Sequence, residues 1–395
     1  MTAYSSALLL VTSQAARLAG PSAALLLLAA MWPAEAFGRF AGAYALASLL
    51  GLLPATGLSA WLLDRSAREA GAARGMLWRA WAMMAGLGAL AMMVAVGLSA
   101  VMPGYGGAAL PALTLAMLLA GAADNGFAAL RGQRNEGPVA AIAVPTNLAL
   151  LAAAFVLHEQ GAETVAVAWV LVRSSQVAML AWSTARFLPP STGPAPSYRT
   201  IGPFFGSQSA GVFYGQADTL LVHALAGEVA AALYTIAARL LQLASFAAQT
   251  LAQWFQPRLA AEVMDSPDWL AQRRRLWLCL GVISAGGLAA FCLVLPLVQP
   301  SVLGPSYQAA APVIQLAGLV LAARCFVAGQ WIELTARQLE TCRARASWLL
   351  LGIFIALAWP LTVQFGAFGA MAAHLLALGP IAALSGRSLA RARQR

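Results

Sequence analysis

Apolar residues in this chain run for about 20 positions at a time, on every face, the length at which a helix crosses the ~30 Å hydrocarbon core of a bilayer. Twelve such runs predict twelve helices, the first six being Ser5 to Ala30, Phe37 to Leu63, Leu77 to Met102, Ala108 to Leu130, Val139 to Leu157 and Thr164 to Phe187. The second six are Ile201 to Leu225, Val229 to Phe255, Leu276 to Leu297, Ala309 to Leu334, Ser347 to Gln364 and Ala367 to Leu384. The expected fold is an all-α integral membrane protein, because only helices satisfy their own backbone hydrogen bonds inside lipid when no barrel pattern is present.

Composition agrees. The 395 residues are 61% hydrophobic and 10% charged, against roughly 25% charged in a soluble domain, so no solvated surface can be built from them. A net charge of +10 would point to nucleic acid in a soluble protein. Here the 24 basic residues are all arginine and sit mostly in short gaps between apolar runs, which is a record of topology and argues against a nucleic-acid partner. The amino terminus has no basic n-region, and Arg17 interrupts its apolar run, so it reads as a retained first helix. Cys279, Cys292, Cys325 and Cys342 fit no metal-ligand spacing, and no metal or cofactor is expected.

Assigning the gaps alternately to two sides, with the amino terminus inside, puts 19 arginines inside and Arg39 alone outside. Both termini are therefore expected in the cytoplasm, with an even number of helices. The polar, proline-rich stretch from Pro189 to Tyr198 divides the helices six and six. It sets the expected organisation as a lobe over 1–187, a cytoplasmic linker over 188–200, a second lobe over 201–387 and a basic cytoplasmic tail over 388–395 with no apolar face to pack. At an offset of 193, Glu35 matches Glu228, Arg65 matches Arg258, Glu69 matches Glu262 and Pro103 matches Pro296, the trace of a parallel repeat. External gaps such as Pro103 to Gly107 and His158 to Glu163 leave no room for a catalytic domain.

Candidate chemistry lies inside the membrane. Arg17, Arg173, Arg239 and Arg324 fall well within predicted helices, at an insertion cost of roughly 2.5 to 3.5 kcal/mol each near the centre. Asp124, Asp218 and Glu333 are the comparable acids, with Glu333 placed to meet Arg337 at i+4 and Asp124 near the cytoplasmic end. Four arginines against three acids leave at least one positive charge for something other than an ion pair. Arg17 lies too deep to snorkel and should face protein or water. Pro21 cannot donate to the carbonyl of Arg17, so Gly20 and Pro21 form a candidate hinge at that charge.

On the eighth helix Arg239, Gln242, Ser245, Gln249, Gln253 and Gln256 share one face, which must turn to another helix or to water. Amides beside a guanidinium suit sugar hydroxyls and phosphate, since amides both donate and accept while arginine binds phosphate in bidentate fashion. Ser207, Gly211, Tyr214 and Asp218 share a face of the seventh helix, where Asp218 either pairs with Arg239 or binds a coupling cation, H+ or Na+. Trp169, Arg173 and Gln176 share a face of the sixth, to complete a cavity or to lock the lobe.

Several short segments carry a family resemblance: Pro33-Ala-Glu-Ala-Phe-Gly38, Gln216-Ala-Asp218, Gly227-Glu-Val-Ala-Ala-Ala-Leu-Tyr234-Thr-Ile-Ala-Ala-Arg239, Pro257 and Leu303-Gly-Pro-Ser-Tyr307. In that order the chain resembles the polysaccharide transporters of the multidrug/oligosaccharidyl-lipid/polysaccharide (MOP) exporter superfamily, of the O-antigen flippase (Wzx-like) type. The resemblance implies two six-helix lobes around a central cavity, alternating access, and export of a glycan on a polyprenyl diphosphate across a bacterial cytoplasmic membrane. It also implies a monomer whose partners are its lipid-linked substrate and the surrounding lipids. Related lipid II flippases use cavity arginines in the first and eighth helices, the places held here by Arg17 and Arg239.

Two rivals remain. A drug exporter of the same superfamily would share the topology, but a cationic substrate calls for uncompensated acids, whereas arginines are in excess here. A membrane glycan polymerase or ligase needs catalytic groups at the surface, and the external gaps offer no nucleophile-base or metal constellation.

Overall fold

The computed structural model describes residues 3–393 apart from Pro103, Tyr105, Gly106, Arg134, Thr192, Pro194, Ala195, Asp265 and Gln338. The helices are α1 (Ala3–Met31), α2 (Ala34–Leu52), α3 (Leu58–Arg68), α4 (Ala73–Val101), α5 (Ala109–Gly132), α6 (Glu136–Leu157) and α7 (Ala162–Phe187). They continue as α8 (Tyr198–Tyr214), α9 (Ala217–Ala261), α10 (Pro267–Ala289), α11 (Leu295–Leu303), α12 (Ala311–Ala336) and α13 (Glu340–Arg393). Among the described residues ten stretches are long and apolar enough to cross a membrane.

Two of those ten are folded on themselves. Arg199–Gln256 has 58 residues and Thr341–Arg391 has 51, which as straight helices of 1.5 Å per residue would reach about 75 to 90 Å, more than twice the bilayer core. Each is broken at a glycine with backbone angles closed to other residues: Gly227 (φ 84°, ψ −177°) in α9 and Gly366 (φ 56°, ψ −134°) in α13. Across Gly366 the rings of Phe354 and His374 stack 4.2 Å apart, although a straight helix would hold them ~30 Å apart. Counting each folded stretch as two passes gives the twelve expected from hydropathy.

Three breaks were not expected, one of them the turn at Gly215 and Gln216 that parts α8 from α9 inside the predicted seventh helix. The second pass is interrupted by a 3-10 turn at Leu53–Ala55 containing Pro54, followed by Gly57 at φ 83°. The ninth pass widens into a π-turn at Ala290–Val294, immediately before Pro296, which removes the N–H that the carbonyl of Cys292 would otherwise accept from.

Packing divides the chain into two units, residues 1–32 with 39–220 and residues 33–38 with 221–395. The boundary thus falls after α8, not in the proline-rich stretch. In the first unit α8 packs on α3, where the Gly57 N–H donates to Gln208 Oε1 at 3.1 Å. The core of this unit is built on Trp61, Leu77, Met84, Phe127, Leu130 and Leu180. The linker is pinned to the start of α4, with the Gly75 N–H donating to Ser191 Oγ at 3.0 Å. In the second unit α12 packs against α10 and α13. Residues 388–393 do not form a loose tail: α13 continues through them, and Leu389 is buried, which corrects the expectation of an unpacked terminus.

Gly57 gives a direct test of this packing. A Cβ there would stand 2.6 Å from the backbone nitrogen of Phe205 as well as occupying a left-handed backbone. Gly57→Ala is expected to destabilise the protein by about 1 to 3 kcal/mol, seen as a lowered melting temperature in detergent.

Candidate functional site: a buried arginine cluster

In the first unit α1, α5, α6 and α7 meet around a group of charges. Arg17 reaches from α1 to α5, where its Nη2 lies 2.8 Å from Asp124 Oδ1 and its guanidinium stands 5.5 Å from the ring centroid of Phe127. Its Nη1 also donates to Gln14 Oε1 at 3.4 Å. Arg17 is therefore ion-paired, with Asp124 of α5 as its partner. The pair is not sealed: the side chains are 20% and 42% accessible.

Two turns further along α5, Arg131 lies 3.6 Å from Glu136 at the start of α6 and donates to Ser13 Oγ of α1 at 3.1 Å. In the sequence Arg131 stands at a helix end, where nothing local marks it. Its neighbourhood includes Arg17 and Asp124 as well as Glu136.

Arg173 of α7 is buried, and its Nη1 donates to Gln176 Oε1 at 2.7 Å, while Gln176 Nε2 donates to Thr146 Oγ1 of α6 at 2.8 Å. Among the described residues it makes no ion pair. The charges that act on it are those of Asp124 and Arg17. Trp169, on the same face, packs edge-on against Phe40 and Tyr44. Trp169, Arg173 and Gln176 are all buried on this face of α7.

α1 runs unbroken through Gly20 and Pro21. Gly20 is needed for packing: a Cβ there would meet the Asn147 side chain of α6 at 2.7 Å. The hinge proposed for Gly20 and Pro21 finds no break in this conformation.

In the second unit Arg239 is buried in α9 and donates through Nη1 to Gln242 Oε1 at 2.8 Å. Gln242 and Gln249 are exposed on this face, while the side chain of Gln253 lies outside the described residues. Asp218, at the edge of the first unit, sits in the first turn of α9, buried, with its Oδ1 accepting from the Thr219 N–H. Because α8 ends at Tyr214 and α9 begins at Ala217, Asp218 does not share a continuous helix face with Gly211 and Tyr214, and the Ser207 side chain is outside the described residues. Arg324 is half-buried in α12. Glu333 is fully buried and accepts from Arg273 Nε at 2.7 Å and Trp277 Nε1 at 2.6 Å on α10, partners that sequence reasoning, looking to Arg337, did not find. His374 was also missed: buried in α13, its Nε2 lies 2.7 Å from the Tyr234 hydroxyl.

No family model matches the sequence, and no curated protein matches it. Solved structures do match, over nearly the whole chain. A multidrug resistance MATE family transporter of the MOP superfamily, in an inward-facing conformation, is 14% identical with a TM-score of 0.71, covering 96% of each chain. The lipid II flippase MurJ, in an inward closed conformation, is 10% identical with a TM-score of 0.73, covering 97% of this chain and 87% of its own. A MOP superfamily transporter from Pyrococcus furiosus, described as having a binding pocket of reverse polarity that suggests a different function, is 13% identical with a TM-score of 0.65, covering 99% and 96%. The chain therefore has the twelve-helix fold of these transporters.

Proposed function

We propose that this chain is a flippase that carries a polyprenyl-diphosphate-linked oligosaccharide across the bacterial cytoplasmic membrane by alternating access, supplying cell-surface polysaccharide assembly. The observation that carries this reading is the charge of the first unit's cluster. Three arginines, Arg17, Arg131 and Arg173, face two carboxylates, Asp124 and Glu136. An excess positive charge in a medium of low dielectric favours an anion and repels a cation.

Within this cluster the most accessible arginine is Arg17, whose planar guanidinium carries five N–H donors, more than Asp124 and Gln14 use. It is the residue to meet the diphosphate, with Arg173 behind it supplying field from a buried position. In the second unit the exposed amides Gln242 and Gln249, with Gln253, suit sugar hydroxyls, while Arg239 and Arg324 add positive charge. Asp218 is assigned either to an ion pair or to a coupling cation.

A second reading is favoured by the fold similarity to MATE transporters: a cation-coupled exporter of drugs or other small molecules. The charge excess argues against a cationic cargo. The described polarity reversal in the Pyrococcus transporter supports taking pocket charge as a guide to cargo within this fold. The test is export of surface glycan by a cell that depends on this protein, against resistance of the same cell to cationic drugs. Glycan export lost on deletion and restored by the wild-type gene is the expected result; drug sensitivity alone would favour the second reading.

Orientation belongs to the same proposal. Both termini and the 188–200 linker are expected in the cytoplasm, from the 19-to-1 arginine partition. Reporter fusions active on the cytoplasmic side at both ends are the predicted outcome, and an external terminus would refute it.

A further inference from the structure

The second unit holds a pocket of about 630 Å³ between the start of α10 and the ends of α12 and α13, remote in sequence from the cluster above. Its lining combines three chemistries. Arg273 and Arg274 supply positive charge, Arg273 being held by Glu333 while Arg274 is exposed. Leu278, Phe326 and Leu389 supply apolar wall. Gln330 is only 6% exposed, and its Oε1 has no hydrogen-bond partner among the described residues. A buried amide carbonyl without a donor is costly, and the side chain that carries it lines the pocket, so a ligand hydroxyl that reached it as the amide turned toward the ligand would satisfy it.

The position of the pocket narrows the ligand. Arg273, Arg274 and Arg275 begin α10, and Arg387 and Arg391 lie near the end of α13, so the pocket opens where helices leave the membrane. Ligands at that depth are lipid headgroups, and basic pockets between helix ends bind anionic ones. We propose that this pocket binds an anionic glycerophospholipid with a hydroxylated headgroup, of the phosphatidylglycerol type. Its phosphodiester is held by Arg274 and the free face of Arg273, a headgroup hydroxyl donates to Gln330 Oε1, and an acyl chain lies along Leu278 and Phe326. Such a lipid would staple α10 to α12 and α13.

The test uses the full-length protein in detergent, loaded with defined lipids and examined by native mass spectrometry. The wild type is expected to retain phosphatidylglycerol over phosphatidylcholine, and over phosphatidylmethanol, which keeps the charge but lacks the hydroxyl. Arg274→Ala, an exposed change that leaves folding intact, should weaken phosphatidylglycerol retention about fivefold, the worth of one arginine near an anionic lipid. Gln330→Leu should bind phosphatidylglycerol and phosphatidylmethanol equally. Equal retention of phosphatidylcholine by the wild type, unchanged retention by Arg274→Ala, or displacement of the lipid by glycerol phosphate alone would overturn the assignment. None of these measurements depends on what the protein transports.

Discussion

Arg17→Ala is expected to reduce glycan export about a hundredfold while the protein remains in the membrane at normal level, because a bidentate, charge-assisted contact to a diphosphate is worth about 3 kcal/mol. Arg17→Lys should recover only part of this, since lysine keeps the charge and loses the planar fork. The ion pair with Asp124 supplies the competing explanation: the arginine exists only to neutralise the carboxylate. The two accounts separate in the double variant Arg17→Ala, Asp124→Ala. If the pair is only structural, removing both partners restores folding and transport together. If Arg17 meets substrate, the double variant folds and stays inactive.

Arg173→Met is expected to separate stability from activity. The side chain is a buried guanidinium with one amide acceptor and no ion pair among the described residues. Its removal strands the Gln176 carbonyl oxygen at a cost of about 1 to 3 kcal/mol. It also relieves the desolvation of a charge, which comes to several kcal/mol even after relaxation. The second term is the larger, so the melting temperature should hold or rise. Transport should fall. A unit charge acting across roughly 10 Å at an effective dielectric of ~20 contributes about 1.7 kcal/mol, so a decrease of about fifteenfold is expected. Loss of stability and transport in step would make Arg173 a structural residue, and unchanged transport would remove its field from the account.

The membrane passes were legible in the sequence because lipid imposes them: an apolar run of fixed length has few alternatives to a spanning helix. The interruptions were less so. Pro54 with Gly57, and Pro296 beyond the π-turn, sit inside apolar runs that hydropathy reads as continuous, since proline is tolerated where neighbouring helices satisfy the freed carbonyls. Arg173, Asp218, Arg239 and Glu333 were legible as buried charges, because each costs too much to be incidental, whereas Arg17, Asp124 and Arg324 are only partly covered. The partners of these charges were not legible. A helix that is apolar all round has no periodicity to give its rotation, so nothing local pointed Arg17 at Asp124 or brought Arg273 to Glu333. Arg131 and Glu136 looked like ordinary helix-end charges until folding placed them beside Ser13 and Arg17. A single histidine such as His374 carries no pattern at all, and only the stacked rings of Phe354 and Tyr234 identify its setting.

The central claim is that the cargo is a lipid-linked diphosphate, and reconstitution tests it most directly. The purified protein would be placed in liposomes carrying a fluorescent polyprenyl-diphosphate glycan, with movement between leaflets read by an impermeant quencher or glycosidase. The account predicts saturable translocation by the wild type and about a hundredfold less by Arg17→Ala. No translocation of the diphosphate lipid by a stably folded wild type, together with efflux of a cationic drug from the same liposomes, would contradict it.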